Sequence, residues 1–349
     1  MGLPKFKIML HSHLEGHLRH TTIWELAQGD RVALERVAFE VGEDQANQGI
    51  LYSEMRLFPH LMASQHTTLQ LAAGPTTVRT AAEAVEAVLE GFSRAEKEHG
   101  IMLRLVLACF RDKPEWAEEV VSLCHEYREK GVVGMDVCGV FAPKRTETEG
   151  EEILHPDVIK AFQRAATLGV HRTAHAGEAG PATNVSRAIE ELRTERIGHG
   201  YAAMRDGGAP LQLALDRGIH FEVCPNSSYL TGAVSPGERH PMLCLRDHCA
   251  SYSLNTDDPT ITHTRISDEY QLALKLGFRP DDILESNRAA IEASFLSPEE
   301  KRELRNKFER LNASSSTTCC FYEYSPKKSV KNGDVPPNQL GPNNPIVSH

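Results

Sequence analysis

Short apolar runs rich in β-branched and long aliphatic residues alternate along the chain with longer stretches in which apolar residues recur every three and four positions. The first pattern fits a buried strand, and the second lines one face of a helix. The runs fall at 6–10, 50–57, 102–109, 132–137, 170–174, 196–199, 220–224 and 251–255, eight in all, and amphipathic stretches at 81–98, 116–130, 156–168 and 186–193 lie between them. Eight strand-plus-helix units in about 260 residues is the count of a closed parallel (β/α)8 barrel of the TIM type. An open doubly wound sheet would share the local pattern, but no glycine-rich phosphate-binding fingerprint follows any run. Three further helical stretches, 267–277, 280–293 and 298–312, are predicted to pack outside the barrel.

Beyond 312 the composition shifts to Ser, Pro, Asn and Gly with few large apolar residues, so 313–349 is expected to be a disordered tail after a 1–312 barrel domain. A net charge of -10 offers no basic surface to a phosphate backbone, which argues against a nucleic-acid partner. No run approaches the roughly 18 apolar residues of a membrane span, and the first ten residues lack the apolar core of a signal peptide. The eight cysteines are scattered through apolar contexts with no CxxC pair, so reduced thiols and a cytoplasmic location are expected.

In a parallel barrel, chemistry gathers at the carboxyl ends of the strands. The first run leads into His11-Ser12-His13, and residues i and i+2 of a strand point the same way, so both imidazoles can reach one point above the barrel mouth. The fifth leads into His175-Ala176-Gly177-Glu178, the sixth ends at His199 between Gly198 and Gly200, and the eighth is followed by Asp257-Asp258. Adjacent aspartates diverge, so one can ligate a metal while the other addresses a water. Singly, each has a plain reading: a hydrogen-bonded core histidine, a helix N-terminal acid, an Asp-Asp-Pro turn. His17 and His20 are read as solvated. Together the histidines and acids fall on one rim, and three histidines with one aspartate make a mixed N/O site suited to Zn²⁺ with a position left for water.

The stretches "HSHLEG", "HAGE", "RIGHG" and "SLNTDDP", in this order, resemble the adenosine deaminase family of zinc-dependent barrel hydrolases. The longer stretches "RTAHAGEAG", "TERIGHGY", "CPNSSYLTGA" and "YSLNTDDP" are similar to its animal members. The likeness spans approximately 5–312 and implies a barrel of the metal-dependent hydrolase type. It implies His11, His13, His175 and Asp257 as ligands of one Zn²⁺, Glu178 as proton donor to the purine nitrogen N1, and His199 and Asp258 as partners of the attacking water. It also implies Glu15 as a contact to the ribose and Gly139 as a backbone contact to the purine. The implied activity is hydrolytic deamination of adenosine and 2'-deoxyadenosine in purine salvage by a monomer. A cytidine-deaminase site would need a PCxxC run, whereas Cys224 is followed by Pro225 and Asn226 with no second cysteine nearby.

Three departures qualify the resemblance. Glu15 stands where animal members carry Asp, Val140 replaces an acid after Gly139, and a segment that covers the purine pocket in relatives is missing near 29–32. A less covered site is wetter, which weakens proton transfer and substrate grip. These departures leave two other expectations open: a deaminase of adenine or a modified adenosine, and a catalytically impaired homologue serving as a binding module.

Overall fold

A computed structural model describes residues 2–19, 31–63, 78–139, 152–178 and 180–313. His20, Val140, residues 29 and 30 at the point of deletion and the tail from 314 to 349 lie outside the described residues.

Eight parallel strands, β1 (Lys7–His13), β2 (Ile50–Leu57), β3 (Met102–Phe110), β4 (Val132–Cys138), β5 (His171–Ala176), β6 (Arg196–His199), β7 (His220–Val223) and β8 (Tyr252–Leu254), pair in sequence order. The fold is the (β/α)8 barrel that the alternation predicts. The seam between its last and first strands closes in an unusual way. Asn255 Oδ1 accepts the backbone N–H groups of Leu10 and His11 at 2.9 and 3.0 Å, so a side chain stands where a strand would donate carbonyls. One step on, a parallel bridge joins Ser12 to Asp257, with His13 N–H on Asp257 O at 3.0 Å and Asp257 N–H on His11 O at 3.2 Å.

Two strand ends differ from the sequence reading. β1 runs on through His13 and β5 through Ala176, so His11, His13 and His175 sit within strands rather than just beyond them. The apolar runs stop early because the top of the barrel interior is lined by polar groups. The helix expected at 186–193 is Thr183–Glu190, and that expected at 116–130 is Ala117–Glu126 followed by a short 3₁₀ turn. The outer helices Ile266–Lys275, Pro280–Ala293 and Pro298–Ala313 follow the predicted segments closely. From the last two, Ala290, Ile291, Leu304 and Phe308 bury an apolar cluster with Ile8, Leu10, Leu51 and Tyr52. No helix among the described residues is long and apolar enough to cross a membrane.

Inside the barrel lies a ladder of charges. Arg196 pairs with Glu54 (2.5 Å) and Glu222 (2.7 Å), while Arg56 pairs with Glu222 and with Asp136 (2.6 Å). All five side chains are at most 1% exposed. Two guanidinium groups thus face three carboxylates in a place where solvent cannot screen them. The excess negative charge lies toward the end where the histidines stand.

The helix Arg31–Asn47 crosses the helix Ala81–His99 at Gly91, where an added Cβ would lie 2.2 Å from the carbonyl oxygen of Glu35. Backbone cannot yield there as a flexible side chain could. We expect Gly91→Ala to lower the unfolding free energy by about 1–3 kcal/mol, read as a drop in the denaturant midpoint; an unchanged midpoint would show that the two helices separate at no cost.

Candidate active site

At the carboxyl end of the barrel, β1 presents His11 and His13, β5 presents His175, β6 ends on His199, and Asp257 follows β8. His11 Nε2 and His13 Nε2 lie 3.3 and 3.4 Å from Asp257 Oδ1, and His13 Nε2 lies 3.3 Å from His175 Nε2. Ligands held at 2.0–2.1 Å around a tetrahedral zinc ion are separated by about 3.3 Å, so these three separations match edges of one coordination tetrahedron. His199 Nε2 stands farther off, 3.8 Å from Asp257 Oδ2 and 3.7 Å from Glu178 Oε2. A looser grouping, with donor atoms within 4.8 Å of one another, takes His11, His175, His199 and Asp257 instead. The tighter spacing favours His13 over His199 as the fourth donor.

The far sides of two of the rings are anchored. His11 Nδ1 contacts Glu222 Oε2 at 2.9 Å, and His175 Nδ1 lies 3.0 Å from Asp136 Oδ2, so each ring keeps Nε2 turned to the shared centre. Ser227 Oγ donates to Asp257 Oδ2 at 2.8 Å. Burial opposes ionisation of Asp257, but its bond to His11 and the neighbouring imidazoles outweigh it and hold the carboxyl well below the usual range. An anionic aspartate, three imidazole nitrogens and the unbalanced carboxylates beneath them make a donor set that fits a divalent cation. Burial pushes His199 down to about 4, which keeps it neutral.

The backbone is bent to achieve this. His199 (φ 66°) and Asp257 (φ 59°) both adopt the left-handed conformation that costs a non-glycine residue of order 1 kcal/mol. Gly198 is needed for close packing beneath the site: a Cβ there would lie 2.9 Å from Cε1 of His11. Gly16 serves Asp258 likewise, since a Cβ would fall 2.0 Å from Asp258 Oδ1.

A cavity of about 510 Å³ opens above the imidazoles, lined by His13, Glu15, Gly139, Glu178, Asp257 and Asp258 among others. His175 and His199 also line it, with His11 buried beneath. One wall is aromatic: Phe58 stacks on Phe110 with centroids 4.1 Å apart. At the mouth Leu61, Leu230 and Ile261 leave apolar side chains exposed, Ile261 at 70%. Glu15 reaches back to β2, where its Oε1 accepts the Phe58 N–H at 2.9 Å, and burial raises its pKa to about 7. Burial and then the charge of Asp257 raise Asp258 to about 7 as well. Gly139, at φ 96°, backs onto Phe110, and a Cβ there would lie 2.4 Å from the ring.

His17 is not solvated as its loop position suggested. Half-buried, it hydrogen-bonds through Nε2 to Ser12 Oγ, and burial pushes its pKa down to about 3. The sequence reading also passed over Asp136, Glu222, Ser227 and Asn255. Their signal was faint: single polar residues within or beside apolar runs.

Comparison with known proteins bears on this geometry. A family model described as "Adenosine deaminase" matches residues 28–311. The chain is 40% identical over 280 residues to the adenosine deaminase of Bos taurus, covering 79% of this chain and 74% of that protein. It is 34% identical over 352 residues to the adenosine deaminase of Danio rerio, covering 87% and 96%. Among solved structures, the Arabidopsis ADAL protein complexed with IMP superposes with a TM-score of 0.74 at 25% identity, covering 89% of this chain and 98% of that one. A cog1816 amidohydrolase of Burkholderia ambifaria with bound zinc gives 0.72 at 26% identity, covering 89% and 92%.

The bond from Ser227 to Asp257 offers a clean test, because its loss leaves no buried charge unpaired. Ser227→Ala should weaken zinc affinity by about tenfold or more, measured by competition with a chromophoric chelator. Unchanged affinity would mean that Asp257 needs no outer partner.

Proposed function

The chain belongs to the adenosine deaminase family, and on that premise we propose that it deaminates adenosine and 2'-deoxyadenosine by hydrolysis, yielding inosine or 2'-deoxyinosine and ammonia, in purine salvage. The cofactor is zinc. The observation that carries the reading is the set of tetrahedral-edge separations among His11, His13, His175 and Asp257, beside a cavity that also holds three further carboxylates, Glu15, Glu178 and Asp258, and the neutral imidazole of His199.

In this reading those four residues hold the ion, which supplies Lewis acidity that brings the pKa of water toward neutrality. Glu178 delivers a proton to N1 of the purine, draining electron density from C6 so that the ring accepts a nucleophile there. His199, kept neutral by burial, has a lone pair free to take the proton of the attacking water. Asp258, beside the ligand Asp257 and lining the cavity, aims that water. The proton held by His199 passes to the exocyclic nitrogen, so that collapse at C6 to the carbonyl expels ammonia, and the C6 hydroxyl proton restores the Glu178 acid. Glu15 faces the sugar, and Gly139 meets the base through its backbone, its missing side chain letting Phe110 pack close behind it.

All of these groups come from one chain, which supports action as a monomer. The six described cysteines, Cys109 to Cys249, are free thiols, which supports a reducing, cytoplasmic setting. The exposed apolar residues at the cavity mouth support the view that the missing segment near 29–32 thins the cover over the base.

A spectrophotometric adenosine assay on the zinc-loaded chain tests the reading directly, beside a version carrying the missing segment from a relative. Adenosine turnover in the chain as it stands, improved by the added cover, is expected; preference for adenine or a 6-substituted analogue would move the assignment to another deaminase, and zinc-loaded protein inert on all of them would end it. Glu178→Gln should keep its zinc while kcat falls by about 10²–10⁴. A variant of that kind retaining wild-type turnover would strip Glu178 of the proton-donor role.

A further inference from the structure

Glu152 lies in the loop that enters the helix Pro156–Thr167, away from the strand ends that carry the site, yet it is only 2% exposed. Its carboxylate faces the turn after β5. Oε2 accepts the backbone N–H of Gly177 at 2.8 Å, and Oε1 accepts that of Glu178 at 3.1 Å. Gly177 is left-handed (φ 67°), the conformation that turns successive N–H groups toward one side and makes a concave anion seat. A side chain at 177 would be excluded as well, with its Cβ 2.9 Å from Val185 Cγ2. The seat is thus filled from within the chain, by a side chain that reaches it from another loop.

The same turn is held from its other side. Arg111, just past β3, donates through Nη2 to the carbonyl oxygen of His175, and that nitrogen lies 4.0 Å from Glu152 Oε2. The guanidinium lessens the cost of burying Glu152, and the two side chains grip residues 175, 177 and 178 through main-chain atoms only. His175 is a donor to the metal centre, and Glu178 lies 3.7 Å from His199 across the cavity. Two residues, Ala176 and Gly177, separate metal donor from acid; the strand ends at Ala176, and past it the Gly177 carbonyl accepts the N–H of Ala202 at 2.8 Å, which leaves the amide side of the turn to Glu152.

We propose that Glu152 is a positioning residue for the deamination: its carboxylate fixes the Gly177–Glu178 turn and so sets where the Glu178 acid stands over the base. Glu152 touches no substrate atom in this scheme. The inference rests on the reading of Glu178 as proton donor, and its effect on rate is carried through that group. Binding energy spent ahead of time on orienting an acid appears in kcat rather than in KM.

Two measurements on the zinc-loaded full chain test this. The first is independent of catalysis: hydrogen exchange of the Gly177 and Glu178 amides should quicken by about tenfold or more in Glu152→Gln, whose amide can accept from only one of the two N–H groups. Unchanged protection of both overturns the clamp, whatever the chain turns out to deaminate. The second is a double-mutant cycle. Glu152→Gln should lower kcat for adenosine by about tenfold with KM moved less than about threefold, while the same change in a Glu178→Gln background should cost less than about twofold. An equal loss in both backgrounds, or a change confined to KM, refutes action through Glu178. If Glu152→Gln fails to fold or to hold zinc, Glu152→Asp takes its place: it keeps the charge but is too short to span both amides, and the same loosening of exchange and loss of kcat are expected. Wild-type values for both in that variant overturn the proposal. Failure of the adenosine reading itself would show separately, as an unmodified chain that is inert on adenosine.

Discussion

One carboxylate, Glu222, ties the interior of the barrel together. It meets Arg56, Arg196, His11 and the Thr173 hydroxyl at once, with no exposed surface of its own. A charge so deep is tolerable only because every lone pair is spoken for, since removing one partner from a buried network leaves a penalty of about 3–5 kcal/mol. Glu222 is held ionised far below the usual carboxylate range: burial works against this, and Arg56 and Arg196 overcome it. The network is therefore rigid. His11 inherits that rigidity, because a ring whose Nδ1 is fixed on a fixed carboxylate has no freedom left at Nε2.

The same logic repeats around the rim. Asp136 does for His175 what Glu222 does for His11, and both acids share Arg56, so two donors on distant strands are referenced to one guanidinium. At the site itself, backbone strain falls on the two residues that close it, His199 and Asp257, each in a left-handed conformation. Strong surrounding bonds make that affordable: Asp257 is locked by backbone bridges to both His11 and His13. A scaffold that is stiff beneath and strained at the lip positions polar groups before any ligand arrives.

Much of this could be read from the chain, and what could not has a physical reason. The eight apolar runs marked eight strands because parallel strands in a barrel are buried on both faces and leave a continuous signal. The extension of β1 to His13 was hidden, since the interior of the barrel top is polar and the apolar signal stops where the chemistry begins. The histidines and aspartates of the rim stood out because they lie beside glycines and prolines at run ends. Asp136 and Glu222 did not, being single acids inside strands whose guanidinium partners are remote along the chain: Asp136 is 80 residues from Arg56, and Glu222 is 166 from Arg56 and 26 from Arg196. Glu152 was invisible for a related reason: it acts on backbone amides, and backbone amides leave no mark in a sequence. His17 was misread because loop position predicts exposure only on average.

The seam stitched by Asn255 has a bearing on how the molecule is made. The side chain that completes the ring is 244 positions from the backbone it captures, and Asp257 follows two residues later. Three donors, His11, His13 and His175, precede the seam in the chain, and the carboxylate that completes the set comes only with the residues that close the ring, so the full donor set and ring closure form together and late in folding order along the chain.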